Sequence, residues 1–77
     1  MKMKHDREAD AIYIRFSDAP YAYGKDLDKE RRIDYDTNGE LRGVELLCVS
    51  DGVITDDLPH RLEIEKLLEE HHIKIFA

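Results

Sequence analysis

The sequence predicts an α+β domain: a small antiparallel β-sheet of about five strands, meander-like, with one C-terminal helix packed on one face and a short final strand. Three observations carry that expectation. Short segments alternate apolar and polar residues, turn residues punctuate them, and a single stretch with helical spacing follows near the C-terminus. One domain is expected over residues 1–77, with the sheet in 1–55, the helix in 58–72 and a tail strand in 73–77.

Met1–His5 alternates Met and Lys, the period-two pattern of a half-buried strand. Asp6–Asp10 is polar and turns the chain. Ala11–Phe16 is the clearest strand, with Ile12, Ile14 and Phe16 on one face and Ala11, Tyr13 and Arg15 on the other. These two segments predict a hairpin. Ser17-Asp18-Ala19-Pro20 ends it, because proline has no N–H for a central ladder. Tyr21–Leu27 is extended but interrupted by Gly24, which suits an edge strand.

Arg32–Asp36 alternates again, and Asp36-Thr37-Asn38-Gly39 follows as a turn. Aspartate suits the first position of a type I turn, and Gly39 can take the left-handed conformation after it. Together they predict the three-residue hairpin loop with a glycine bulge, placing Tyr35 opposite Leu41 and Asp34 opposite Arg42. Strict alternation through Leu41–Val49 would put Glu45 among apolar neighbours. Burying an unpaired carboxylate costs several kcal/mol, roughly, so a bulge at Gly43 is expected, turning Val44 and Leu46 inward and Glu45 outward. Leu46-Leu47-Cys48-Val49 is apolar on both faces and so belongs in a central strand, with a second subunit or a partner covering the face that the helix does not.

Ser50-Asp51-Gly52 is a turn, and Val53-Ile54 a short extended piece. Asp56-Asp57-Leu58-Pro59 predicts a helix start, with proline in the first turn. Leu58, Leu62, Ile64, Leu67 and Leu68 form an apolar stripe at helical spacing, and His71-His72 ends the helix. Ile73–Phe76 alternates as a final short strand.

With 77 residues the core is marginal, burying about 60–65% of the unfolded surface. One cysteine, Cys48, excludes an internal disulfide, and no Cys/His pair has zinc-finger spacing, so self-association is the expected source of extra stability. The formal charge of −6 argues against nucleic-acid binding and favours a basic partner. MKMKHD has no apolar core of a secretory signal, and no run reaches the roughly 18–20 apolar residues of a membrane span, so no membrane association and a cytoplasmic location are expected.

The most suggestive carboxylates are Asp10, Asp34, Asp36 and Glu45, candidates for a hard divalent cation if they converge. Each also has an ordinary structural use: Asp36 in the turn, Asp34 paired with Arg42, Asp10 in a hairpin loop, Glu45 solvated. Adjacent helical residues such as His71 and His72 point about 100° apart and do not share one ion. Cys48 reads as a buried structural thiol without an activating neighbour. No serine or glycine motif of catalysis or phosphate binding is present. The tyrosines are interface residue types, and Tyr13, Tyr35, Leu47 and Val49 are the interface candidates.

Glu8-Ala9-Asp10-Ala11-Ile12-Tyr13-Ile14-Arg15, then Ser17-Asp18, Ile33-Asp34-Tyr35-Asp36, Asn38-Gly39 and Gly43-Val44-Glu45-Leu46-Leu47 give the chain a further likeness. It resembles the small prokaryotic proteins grouped as DUF2283, or YuzE-like, over about Met1 to Ser50. The resemblance implies a small, mostly β fold and carries no activity. Some members of that group look like the smaller partner of toxin–antitoxin pairs. The chain is thus expected to be a non-enzymatic protein-interaction module without a cofactor, forming a homo-oligomer (a dimer is favoured) or binding a basic protein in an antitoxin-like role. The alternative is a divalent-metal-dependent binding protein or hydrolase using the carboxylates.

Overall fold

The computed structural model describes residues 1–76. Its strands are β1 (Lys2–Asp6), β2 (Ala11–Arg15), β3 (Tyr21–Asp26), β4 (Arg31–Asp36) and β5 (Leu41–Leu47). A 3-10 turn at Val49–Asp51, β6 (Val53–Ile54), helix α1 (Arg61–Glu70) and β7 (Ile75–Phe76) follow. Ala77, the last residue of the expected tail strand, lies outside the described residues. The chain forms two compact units, one from Met1 to Leu47 and one beginning at Cys48.

The first unit is an antiparallel sheet in the order β1-β2-β5-β4-β3. The α+β expectation of a five-stranded antiparallel sheet and one C-terminal helix holds, with β5 at the centre and β3 at an edge. It departs from a simple meander at one link. Phe16–Pro20 carries the chain from β2 past β5 and β4 to the far edge. Phe16 and Ser17 donate their N–H groups to the Arg42 carbonyl at 2.7 and 3.2 Å, and Thr37 donates to Pro20 O at 3.0 Å. These bonds hold the link over the end of the β4–β5 hairpin, leaving β5 free to pair with β2.

Residues paired in an antiparallel ladder share a face. The pairs Ile12–Leu46, Ile14–Val44 and Ile33–Val44 therefore place five apolar residues on one side, all of them buried. The β4–β5 turn is the expected one: Gly39 donates to Asp36 O at 2.9 Å with φ 77, and Asp36 donates to Glu40 O at 2.8 Å. The expected bulge is also present, one residue early. Asp34 pairs with Gly43 and Tyr35 with Leu41, leaving Arg42 as the extra residue. The expected Asp34–Arg42 pair is therefore replaced by Asp34–Gly43, and the phase change puts Val44 and Leu46 on the buried side and Glu45 on the other.

β5 stops at Leu47, short of the expected Val49. Cys48 takes a left-handed conformation (φ 54, ψ 41), which ends the ladder and opens the 3-10 turn. Val49 is buried there, whereas Leu47 is partly exposed and Cys48 is exposed. The reading of Cys48 as a buried thiol is thus corrected, and so is the expectation that Leu46–Val49 is a strand with apolar residues on both faces.

In the second unit β6 and β7 pair in parallel, with α1 between them in sequence. The helix starts later than expected. Asp57 and His60 are both left-handed (φ 65 and 50), and Leu58 donates to Thr55 O at 3.2 Å, so Pro59 lies in a turn ahead of the helix. Ile64 and Leu68 are fully buried, but Leu62 is 79% exposed. At about 100° per residue Leu62 points roughly 160° away from Ile64, so it leaves the apolar stripe expected for it. No helix among the described residues is long and apolar enough to cross a membrane.

Candidate functional site

The face of the sheet opposite the buried isoleucines carries Tyr13, Arg32, Asp34, Asp36 and Glu45, a placement that follows from the register. Asp34 sits between two glycines, pairing with Gly24 on β3 and Gly43 on β5. A β-carbon on Gly43 would overlap the Tyr13 ring, and one on Gly24 would overlap the Arg32 guanidinium. The two glycines are therefore the floor on which Tyr13 and Arg32 lie flat and reach Asp34 from either side.

A continuous polar chain results. Arg42 donates from Nη1 to the Tyr13 hydroxyl at 3.0 Å and from Nε to Ala19 O at 3.2 Å. Tyr13 donates to Asp34 Oδ2 at 3.0 Å. Arg32 Nε stands 3.4 Å from Asp34 Oδ1, while its Nη1 donates to Asp26 at 2.8 Å and its Nη2 to the Tyr21 hydroxyl at 3.2 Å. Asp34 is 9% exposed, and its buried Oδ1 accepts no hydrogen bond among the described residues, leaving the Arg32 charge to balance it. Burial, and then the bond to Asp34, hold the Tyr13 hydroxyl above its ordinary pKa against the opposing pull of Arg42.

Asp36 serves the turn instead. Its Oδ1 accepts the N–H groups of Asn38 and Glu40 at 2.9 and 3.0 Å, and its Oδ2 accepts the Ser17 hydroxyl at 2.9 Å. The Glu40 N–H, ahead of the Ser17 hydroxyl and the Asn38 N–H, holds this carboxyl below the usual carboxylate range. Asp10 occupies the β1–β2 loop with φ 54, and Glu45 is half-buried across from Tyr13 and Arg32. The four candidate carboxylates thus have separate surroundings. No three His, Cys, Asp or Glu side chains among the described residues form a group that could hold a metal ion.

Of the interface candidates, Tyr13 is committed to the polar chain and Val49 is buried, while Leu47 is 38% exposed. Tyr35 is half-buried beneath Tyr23, the rings stacked at 5.0 Å and 20°. The most exposed aromatics lie elsewhere. Tyr21 and Tyr23 are about half exposed on β3, and Gly24 is the single residue of that strand not exposed. Pro20 and Gly24 mark β3 as an edge in the sequence, and that signal would have singled out its two tyrosines.

Residues 2–50 match the family described as "Protein of unknown function (DUF2283)". No curated protein and no solved structure matches the chain. The matched span contains all five strands of the sheet and every residue of the polar chain, and the protein belongs to the DUF2283 family.

Proposed function

We propose that this protein is a non-enzymatic interaction module that binds a protein partner by adding a strand at the β3 edge. The observation that carries this reading is the exposure of β3, an edge strand whose Tyr21 and Tyr23 are each about half exposed. An open edge offers main-chain donors and acceptors to an incoming strand, and flanking tyrosines add contact area at low entropic cost. The other edge, β1, is guarded by exposed Lys2 and Lys4, a common device against such pairing. The polar chain suits a rigid support better than a reaction centre, since Asp34 and Tyr13 are engaged with each other and with arginines. The net charge of −6 favours a partner with a basic surface where that partner is another protein, compatible with an antitoxin-like role.

Hydrogen exchange tests the reading. In the assembly recovered from the cell, the amides of Tyr21–Asp26 are expected to be protected relative to the isolated, dilute chain, with β1 unchanged. Protection confined to another element would remove the β3 edge from consideration.

A further inference from the structure

We propose that the strand added at the β3 edge is β3 of a second copy of this chain, paired antiparallel about a two-fold axis at Gly24; this rests on the strand-addition reading above. Beyond the irregularity at Ala22, residues Tyr23–Asp26 alternate cleanly, with Tyr23 and Lys25 on one face and Gly24 and Asp26 on the other. A two-fold axis perpendicular to the sheet keeps the faces, so opposed residues must come from the same face and the axis must pass through a residue position. Four centres are available, and the one at Asp26 opposes two carboxylates. An axis at Lys25 opposes the two copies of Lys25, and like charges directly opposite are unfavourable. An axis at Tyr23 sets Gly24 against the irregular Ala22 right beside the axis, whereas an axis at Gly24 meets Ala22 only at the ends of the pairing, opposite Asp26. An axis at Gly24 opposes Tyr23 to Lys25 of the second copy, twice.

That register is self-complementary. The Tyr23 ring, already stacked on Tyr35 and 52% exposed, presents a face to a lysine ammonium in each half of the interface. Gly24 against Gly24 puts no side chain in the way of close backbone approach. The Arg32 guanidinium lies over each Gly24, so two arginines come near each other. Each is neutralised in its own chain by Asp26 at 2.8 Å and Asp34 at 3.4 Å. Pairing over Ala22–Asp26, five residues a side with Tyr23 in each half, buries less than the roughly 1,200 Å² of a stable complex, so the dimer is weak and concentration-dependent.

Disulfide trapping reads the register directly. Opposed residues have Cα atoms about 4.5–5.5 Å apart, within disulfide reach, whereas a residue one position off the axis lies two positions along from the point opposite its own copy, more than about 7 Å away. In a Cys48→Ser background, Tyr23→Cys and Lys25→Cys are expected to give a covalent dimer when mixed and none when oxidised separately. Cross-linking of Tyr23→Cys alone or Lys25→Cys alone, or of none of the three, would overturn the proposal. Because Tyr23→Cys removes the stack on Tyr35, sedimentation of the unmodified chain and of Lys25→Glu provides a second arm. The unmodified chain is expected to dimerise and Lys25→Glu to do so roughly tenfold more weakly, two cation–π contacts being lost. Equal association of the two proteins overturns the proposal. A chain that stays monomeric alone, yet shows protected β3 amides in a complex with a different protein, overturns this inference and leaves the strand-addition reading standing. A dimer whose β3 amides exchange freely overturns both.

Discussion

Tyr13 donates its hydroxyl proton to Asp34 across 3.0 Å, and it reaches that carboxylate because Gly43, between them on the central strand, has no side chain. The glycine is selected here for space, since its φ is not in the left-handed region. Replacing Gly43 with alanine forces the Tyr13 ring off its two hydrogen bonds. The expected cost is about 1–3 kcal/mol in urea denaturation, the usual range for an overpacked site. In a Tyr13→Ala background the ring is gone and alanine is the better strand residue, so Gly43→Ala is expected to be neutral or mildly stabilising there. Equal penalties in the two backgrounds would show that Tyr13 is not what Gly43 accommodates.

Removing only the hydroxyl tests the polar chain itself. Tyr13→Phe keeps the ring on Gly43 but leaves Asp34 Oδ2 without its donor and Arg42 Nη1 without its acceptor. A buried group left unpaired costs about 1–3 kcal/mol. Ultraviolet titration offers an independent reading. Burial and Asp34 raise the Tyr13 pKa, so Tyr13 is expected to ionise above the ordinary value of about 10, a transition that disappears in Tyr13→Phe. A wild-type curve that superimposes on that of Tyr13→Phe after scaling would remove the basis for a perturbed tyrosine.

Acid stability depends on Asp36. Its folded pKa lies below that of the unfolded chain, about 3.9, so the ionised group contributes stability that is fully present above that value and lost as pH falls through the native one. Asp28, held down mainly by the Glu30 N–H and then by Arg31, and Glu65, held down by the Thr55 hydroxyl and then by Arg61, act in the same direction. The melting temperature is therefore expected to fall below about pH 4. Asp36→Asn keeps an oxygen for the Asn38 and Glu40 N–H groups but cannot take up the proton. Its stability is expected to fall less steeply with acid, by about one proton's worth of slope at most. An unchanged slope would assign the acid transition to other carboxylates.

How far these features can be read from sequence depends on whether their cause is local. Asp36 and Gly39 are legible because a turn is decided by the residues within it, and the Asp36 carboxylate that closes it serves the Asn38 and Glu40 N–H groups two and four positions on. The central place of β5 is expected from the Leu46–Val49 run, half of which lies beyond the end of the strand, whereas the phase change near Gly43 is legible from the position of Glu45. The use of Gly24 and Gly43 as a floor is not. The side chains that fill their space come from β4 and β2, and the β2–β5 pairing depends on a link that crosses the sheet rather than on an adjacent hairpin. The end of β5 is likewise hidden, because nothing in the apolar Leu46–Val49 run announces a left-handed residue at Cys48.

The helix starts later than Pro59 and its preceding acids suggest for a related reason, and the face that Leu62 occupies is testable on its own. Pro59 and the preceding acids signal a start, but the left-handed conformations of Asp57 and His60 postpone it to Arg61. Within the helix Ile64 and Leu68 are fully buried, and Leu62, two residues before Ile64, is turned to solvent. Truncating either buried residue to alanine removes packed atoms and leaves a cavity, at an expected cost of about 2–5 kcal/mol in urea denaturation. Leu62→Ala is expected to change stability by no more than about 0.5 kcal/mol, as at other exposed positions. Leucine and alanine are both strong helix formers, so propensity does not obscure the comparison. If Leu62→Ala proves as costly as Leu68→Ala, Leu62 is packed in solution, and the face of α1 opposite Ile64 is covered rather than open to solvent.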